Sequence, residues 1–235
     1  MTGGSASYGE AGPSEPHTRK HLMSNTRYGI FLRPDPATCL AVSQVTQAVR
    51  QQFGLVAAEV FAPHATFLGN VRTDGTDDEL VSVLDPVFEK VAPFPVYNRG
   101  IEILPGSVRY NLNDDATGER PNPDLARVNT AIQDAVVPLH IRHDDYLAPN
   151  AQDYVFNAHL SLASFELAVE PRLLREVGEF ISGLPITAPR SFVLGWYTLF
   201  RFPHADWSGQ WWNDMPWVHV KSWHARSKIT TESTP

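Results

Sequence analysis

Two short segments of the sequence share one arrangement of polar and apolar residues. They read HATF, beginning at His64, and HLSL, beginning at His159, so each histidine is followed two positions later by a hydroxyl residue, Thr66 or Ser161. Side chains two positions apart in a β-strand lie on the same face, and the residues between them lie on the other. If both segments are strands, each presents an imidazole and a hydroxyl together, while its apolar residues anchor it to a core.

These four side chains suit the cleavage of a phosphodiester. Of His64 and His159, one as the neutral imidazole can take a proton from the attacking hydroxyl or water, and the other, protonated, can deliver a proton to the leaving oxygen. The hydroxyls of Thr66 and Ser161 can donate to a nonbridging oxygen and stabilise the charge that develops at phosphorus. This mechanism requires no metal, no cofactor and no covalent intermediate. The residues leave open which histidine is the base.

The two segments resemble the paired HxTx and HxSx motifs of the two-histidine phosphoesterase superfamily. That group includes bacterial RNA 2',3'-cyclic phosphodiesterases, also called 2'-5' RNA ligases, and eukaryotic cyclic nucleotide phosphodiesterases. The resemblance extends over about residues 27–223, because YGIFLRP, the intervening helices and WYTLFRF stand where that fold would have them. It implies a bilobal fold, metal-free hydrolysis of a 2',3'-cyclic phosphate, and the four motif side chains as the catalytic and phosphate-binding set.

The charge of the chain limits the size of the substrate. Its 26 acidic and 19 basic side chains give a net charge of -7, and no basic run lies beside either motif. Proteins that coat long nucleic acids need a cationic surface to displace counterions. The predicted partner is therefore a nucleotide or short RNA with a cyclic phosphate, or a small phosphorylated metabolite, and not a long double-stranded nucleic acid.

Four other side chains are candidates for substrate contact. Tyr28, Trp196 and Tyr197 lie on predicted strands near the presumed cleft, where a ring could stack on a base, although each also suits a place in the core. His219 lies in the aromatic C-terminal hairpin, where it could reach the rim of the site.

Arginines offer a second way to bind a phosphate. The sequence contains no glycine-rich phosphate loop, nucleophile elbow or dinucleotide fingerprint, which disfavours use of nucleoside triphosphates and Ser-His-Asp chemistry. Arg27, Arg33, Arg109 and Arg201 could reach a phosphate, but none belongs to a cluster that assigns it a role.

Two further groups of residues have alternative interpretations. His140, His143, Asp144 and Asp145 place two imidazoles and two carboxylates within six residues, which could hold zinc, but no distant ligand set accompanies them and we interpret the segment as a polar loop. The tryptophans between the last two predicted strands are typical of a packed cover over a small core, and an exposed part of them could bind an aromatic or hydrophobic ligand. They are Trp207, Trp211, Trp212 and Trp217.

Hydrophobic periodicity predicts an α+β protein in which two antiparallel-rich sheets surround a central cleft and the helices lie outside. The predicted strands span residues 28–32, 64–69, 96–104, 107–112, 155–163, 186–193, 196–202 and 217–223. The predicted helices span residues 37–53, 77 to about 91, 124 to about 137, and 171–182.

The order of these elements predicts a duplicated, pseudo-twofold domain. The domain covers residues 25–225, with repeat units at about 37–112 and 122–202 and a C-terminal hairpin at 196–223, between predicted disordered tails at 1–24 and 226–235. The repeat is predicted from a match between residues 95–104 and 185–194, at a constant offset of 90.

The single cysteine, Cys39, cannot form an internal disulfide, and the sequence has neither a membrane-spanning stretch nor a signal peptide. These features predict a cytoplasmic protein that does not bind membranes. Two alternatives to the leading function stay open. The site could open a cyclic phosphate on a specialised metabolite, or the chain could be a non-catalytic module that binds a phosphorylated ligand.

Overall fold

The computed structural model describes residues 25–142, 150–204, 207 and 209–225, so both predicted tails lie outside the described residues. The strands are β1 Arg27–Arg33, β2 Ala65–Val71, β3 Phe94–Tyr97, β4 Ile101–Leu104, β5 Ser107–Asn111, β6 His159–Ala163, β7 Ser191–Leu194, β8 Trp196–Phe202 and β9 Val218–His224. The helices are α1 Pro36–Phe53, α2 Asp77–Phe88, α3 Pro123–Val136, α4 Glu166–Val169 and α5 Leu174–Gly183.

The strands form three antiparallel sheets. We call the four-stranded sheet, with the order β2-β1-β8-β9, the first sheet, and the three-stranded sheet, with the order β4-β5-β6, the second sheet. Strands β3 and β7 pair with each other. The predicted α+β class with antiparallel sheets is confirmed, although the strands divide among three sheets and not two. Within the described residues, no helix has the length and apolar composition needed to cross a bilayer.

The two larger sheets have related strand orders. If β1 is matched with β5, β2 with β6 and β8 with β4, the order β2-β1-β8 in the first sheet becomes β6-β5-β4 in the second. The two strands that remain from the middle and end of the chain, β3 and β7, pair antiparallel. This relation supports the predicted duplication, which stays a prediction together with its unit boundaries.

Three predicted strands differ from the observed ones. The strand predicted at 96–104 is wrong, because β3 and β4 are separate and pair with different sheets. Between them, Gly100 has a φ of 98°, which side chains disfavour, and its N–H donates to the Asn98 side chain. The strands predicted at 155–163 and 186–193 are shorter, since β6 begins at His159 and β7 at Ser191.

The helices begin where capping chemistry predicts. Asp35 accepts a hydrogen bond from the backbone N–H of Thr38 at the start of α1. Thr76 and Glu79 form a reciprocal capping box at the start of α2. Because α1 begins three residues after Arg33, its capped start also fixes the end of β1.

Side chains from the second half of the chain hold β2, which lies at the edge of the first sheet. The buried Asn129 of α3 donates from Nδ2 to the carbonyl oxygen of Phe67, at 2.7 Å. The hydroxyl of Tyr154 donates to the carbonyl oxygen of Thr66, at 3.2 Å. These bonds connect the strand that carries one motif to the half of the chain that carries the other.

Candidate active site

The two motifs lie on edge strands of the two larger sheets. His64 immediately precedes β2, which carries Thr66, while His159 and Ser161 lie on β6. A cavity of about 240 Å³ lies between the sheets and is lined by His64, Thr66 and Ser161. His159 is close enough for its charge to lower the pKa of His64. The structure therefore brings His64, Thr66 and Ser161 to one cavity, while His159 lies near His64 but is not among the residues that line the cavity.

Both histidines are held by the same backbone contact. The Nδ1 atom of His64 lies 2.9 Å from the carbonyl oxygen of Ala62, and Nδ1 of His159 lies 2.8 Å from that of Asn157. A carbonyl oxygen only accepts, so Nδ1 carries the proton in both rings. In the neutral form, Nε2 is then the unprotonated nitrogen. Each ring can therefore accept or donate a proton through Nε2, which is the nitrogen left for a substrate.

The surroundings of His64 are apolar. The ring of Phe61 stacks on the imidazole with centroids 4.1 Å apart, and the ring of Phe31 approaches its edge at 4.7 Å. Burial lowers the pKa of His64 to about 4, although the bond to Ala62 acts in the opposite direction. The positive charges of His159 and Arg33 contribute less than burial to the same lowering of the pKa. His64 is therefore neutral at neutral pH.

The surroundings of His159 are charged. Arg109 Nη1 lies 3.4 Å from its Nδ1, and Arg109 Nε forms an ion pair with Glu102 Oε2 at 3.0 Å. Since Nδ1 donates to Asn157, the contact with Arg109 joins two donors and is not a hydrogen bond. The pKa of His159 is lowered, chiefly by burial and also by Arg109, while the bond to Asn157 and the charge of Glu102 raise it.

Aromatic side chains form most of the cavity wall. A Cβ at Gly29 would overlap the Phe31 ring, so this glycine allows the ring to lie along β1. Arg27 and Asn70 lie at the polar end of the cavity, where Arg27 Nε donates to Asn70 Oδ1 at 3.0 Å. The apolar walls are Phe31, Phe61, Phe165, Phe202, Trp207, Trp211 and Met215.

Two of the four tryptophans in the predicted cover line the cavity, namely Trp207 and Trp211. Trp212 is buried behind them and stacks near Phe165, with centroids 5.7 Å apart. Phe61 and Phe165 were not predicted from the sequence, because both lie outside strands and helices of clear periodicity. Their aromatic character within four residues of a motif was the only signal present in the sequence.

The two predicted tyrosine contacts do not line the cavity. Tyr28 points to the opposite face of β1, where its hydroxyl donates to Asp77 Oδ1 at 2.8 Å and burial raises its pKa to about 12. Tyr197 is fully buried against Phe67 and Phe88. Alternation along the strands explains both positions, because the even-numbered residues of β1 and the odd-numbered ones of β8 face the helices.

The other two predicted contacts lie outside the cavity, on the first sheet. Trp196 is 50% exposed and its ring lies 4.5 Å from that of His224. His219 is exposed, and its Nε2 lies 2.9 Å from Ser222 Oγ. Neither side chain is among those that line the cavity.

Hydrogen bonds within the fold hold the side chain of His140. Its Nδ1 accepts a hydrogen bond from the backbone N–H of Arg72, and its Nε2 lies 3.1 Å from Asn150 Oδ1. The other members of the alternative zinc group, residues 143–145, lie outside the described residues. Among the residues that are described, no three His, Cys, Asp or Glu side chains are grouped to bind a metal.

Solved structures share this architecture. The crystal structure of TT0787 from Thermus thermophilus is 12% identical and aligns over 86% of this chain and 99% of that chain, with a TM-score of 0.56. The chain has the TT0787 fold. The likeness to TT0787 concerns the fold, and the resemblance to the two-histidine phosphoesterase superfamily rests on the paired motifs.

Two other solved structures are similar at lower TM-scores. E. coli LigT complexed with 3'-AMP is 10% identical over 86% of this chain and 99% of that chain, with a TM-score of 0.48. Usb1 of Kluyveromyces marxianus is 13% identical over 76% of this chain and 94% of that chain, with a TM-score of 0.39. No protein-family model and no curated protein matches the sequence.

Proposed function

We propose that this protein is a metal-independent phosphodiesterase that hydrolyses 2',3'-cyclic phosphates of nucleotides or short RNA ends. The supporting observation is the matched pair of imidazoles, in which Nδ1 of His64 and of His159 is bound to a backbone carbonyl and Nε2 is left for proton transfer. Thr66 and Ser161 line the cavity beside them and supply two hydroxyl donors.

The surroundings of the two rings support an assignment of their roles. His64, enclosed by phenyl rings and near two positive charges, is the harder one to protonate and acts as the base. The pKa of His159 is also lowered, chiefly by burial, but the bond to Asn157 and the charge of Glu102 oppose that shift, and His159 acts as the acid. A base and an acid with different environments allow both protonation states to exist at the same pH.

The reaction then proceeds by a single displacement. Nε2 of His64 removes a proton from water while the water oxygen forms a bond to phosphorus. The bond from phosphorus to one ring oxygen of the cyclic phosphate breaks, and that oxygen receives the proton from Nε2 of His159. Ring opening gives a phosphomonoester and a free hydroxyl, and proton exchange with water restores both histidines.

The aromatic cavity supports a substrate with a planar organic group. The walls include Phe31, Phe61 and Trp211, and the faces of such rings stack on any nucleobase. The cavity begins at Thr66 and Ser161, so a base attached to the reacting phosphate group would extend into it. The cytoplasm is the proposed location, because Cys39 is a free thiol suited to a reducing compartment.

Phosphorus NMR with the four 2',3'-cyclic nucleotides, in EDTA, tests this proposal. Turnover by the wild type should persist in EDTA and fall by about 10²-fold or more in His64→Ala and in His159→Ala, with folding monitored by circular dichroism. His224→Ala is the control, since His224 is exposed and its ring packs on Trp196, outside the cavity. Turnover that EDTA abolishes, or that survives either active-site substitution, contradicts the mechanism.

A second candidate is the cyclic phosphate of a specialised metabolite. The mostly apolar walls of the cavity favour it, because they offer few hydrogen-bonding groups to read a base. A panel that adds aryl and alkyl cyclic phosphodiesters distinguishes the two, since higher kcat/KM for these than for all four nucleotides identifies this class. Tight product binding without turnover of any compound would instead indicate the non-catalytic module.

A further inference from the structure

Arg33 is the cross-strand neighbour of His64. Strands β1 and β2 pair Phe31 with Thr66 and Leu32 with Ala65, so one further step along the antiparallel pair places Arg33 opposite His64. Phe31 lines the cavity, and Arg33, two positions later, shares its face of the sheet. Side chains directly opposite each other on one face are in contact range. The guanidinium therefore lies near the imidazole, close enough for its charge to affect His64, although Arg33 is not among the residues that line the cavity.

The charge of Arg33 is not neutralised by a carboxylate. Within the described residues Arg33 forms no ion pair, and its Nε is buried without a hydrogen-bond partner. A buried donor without an acceptor is uncommon in a folded protein and calls for an explanation. The nearby thiol of Cys39 contacts the guanidinium, which opposes the larger effect of burial on the pKa of that thiol, but a neutral sulfur is a weak acceptor and does not neutralise the charge of Arg33. A bound anion would supply the missing acceptor.

The other candidate arginines already have different partners or positions. Arg109 pairs with Glu102 at 3.0 Å, and Arg201 pairs with Asp77 at 2.8 Å on the face of the sheet that is turned toward α2. Arg27 lines the far end of the cavity, six residues from Arg33 along β1, which is about 20 Å in an extended strand. Arg109 also lies beside a reacting residue, His159, but it is paired with Glu102, whereas Arg33 lies beside His64 without a carboxylate partner among the described residues.

We propose that Arg33 binds the phosphoryl group of the substrate, donating hydrogen bonds to a nonbridging oxygen beside His64. This inference rests on the proposed phosphodiesterase function and names a binding residue that the motifs do not include. A cyclic phosphodiester carries one negative charge, and attack by water places more charge on its nonbridging oxygens. A planar, permanently charged guanidinium is well suited to stabilise that charge. The same charge adds to burial, which is the larger cause, in favouring the neutral, basic form of His64.

Binding of inorganic phosphate tests the inference without turnover. We expect Arg33→Gln to raise the phosphate dissociation constant, measured by calorimetry, by about tenfold or more, and Arg33→Lys to raise it less. Arg175→Gln is the matched control, because Arg175 lies on α5, is 82% exposed and pairs with Glu179. A dissociation constant for Arg33→Gln within about twofold of the control overturns the proposal.

An NMR measurement on the wild type covers the case in which Arg33→Gln does not fold. The Nε–H resonance of Arg33 should shift on addition of phosphate, whereas that of Arg175 should not, and an unmoved Arg33 resonance in phosphate-saturated protein overturns the proposal. The two proposals can also fail separately. If Arg33→Gln loses phosphate binding and the wild type shows no turnover, the proposed role of Arg33 in anion binding stands and the proposed hydrolase activity is lost. Conversely, if turnover depends on both histidines but phosphate binding is insensitive to Arg33, the proposed hydrolase stands and the proposed role of Arg33 is lost.

Discussion

Phe61 lies flat against the imidazole of His64, with the ring planes inclined by 16°. This contact excludes water from one face of the imidazole, and burial is the main cause that lowers the pKa of His64 to about 4. The folded pKa is thus below the ordinary value of 6.5, and the neutral form of the ring persists as the pH falls from 6.5 to about 4. A catalytic base and a pH-sensitive contribution to stability both follow from this one contact.

The pH dependence of kcat/KM should be bell-shaped with an acidic optimum. Activity should fall below about pH 4, where His64 becomes protonated, and above the pKa of His159, which burial places below 6.5. Initial rates from about pH 3.5 to about pH 8 on a cyclic nucleotide measure both limbs. Phe61→Ala should move the acidic limb toward higher pH, because water then reaches the imidazole. A wild-type acidic limb already near 6.5 contradicts the assignment of His64 as the base.

The free energy of unfolding should decrease as the pH falls, because His64 is harder to protonate in the folded chain than in the unfolded chain. Between about pH 6.5 and about pH 4 the unfolded chain binds a proton at this residue that the folded chain does not, so protonation favours unfolding there. The contribution is about 2 to 3 kcal/mol between about pH 7 and about pH 4.5. In urea unfolding, the wild type should lose that much more free energy of unfolding over this range than His64→Gln does. Equal losses in the two proteins would show that the imidazole is not desolvated.

Glu166 should position the segment that leads to His64. Its Oε1 accepts hydrogen bonds from the backbone N–H groups of Val56 and Ala57, both at 2.6 Å, so a residue that follows β6 holds the chain that precedes β2. Glu166→Ala should lower the free energy of unfolding by about 2 kcal/mol and reduce kcat more than it raises KM. Urea unfolding and steady-state kinetics measure both effects.

Glu179→Ala is the control for this experiment, because Glu179 is exposed and pairs with Arg175 on the surface of α5. It should change stability by about 0.5 kcal/mol or less. Partial recovery in Glu166→Gln, whose amide oxygen can still accept, would support the hydrogen bonds as the cause. An unchanged kcat in Glu166→Ala would limit the residue to a role in stability.

Tyr197 should tolerate loss of its hydroxyl. The side chain is fully buried, its oxygen has no hydrogen-bond partner among the described residues, and burial raises the pKa of the phenol. Tyr197→Phe should therefore keep kcat/KM and change the free energy of unfolding by about 1 kcal/mol or less, in the stabilising direction. Chemical unfolding and a standard activity assay suffice. A large loss of activity in Tyr197→Phe would indicate that Tyr197 contacts the substrate after all.

The motif strands were accessible from sequence because they depend on local alternation. His64 and Thr66 share a face of one strand, and the same rule applies to His159 and Ser161, without knowledge of any other strand. Arg33 was one of four arginines named as able to reach a phosphate, but its place near His64 could not be predicted, because it depends on the register of β1 against β2, and α1 lies between these two strands in the sequence.

The cavity walls and the division of residues 94–104 were also inaccessible. Phe61 and Phe165 reach the cavity from segments without regular periodicity, so no pattern indicates the direction of their side chains. The apolar run from Phe94 to Leu104 contains one interruption at residues 98–100, and only the backbone conformation at Gly100 shows that it separates two strands of different sheets. The match at an offset of 90 aligned β4 with β7, whereas the related strand orders of the two larger sheets match β4 with β8.

Trp207, Trp211 and Met215 come from one continuous segment that joins β8 to β9, neighbouring strands of the first sheet. Neither strand carries a motif residue, so this part of the cavity can accept insertions or exchanged residues while the reactive groups stay in place. This part of the wall is thereby encoded apart from the reactive groups, whereas Phe61 and Phe165 lie within four residues of the motifs. Homologues with the same two histidines could diverge in what they accept by changing this connection alone, and laboratory evolution of new specificities should concentrate its mutations there.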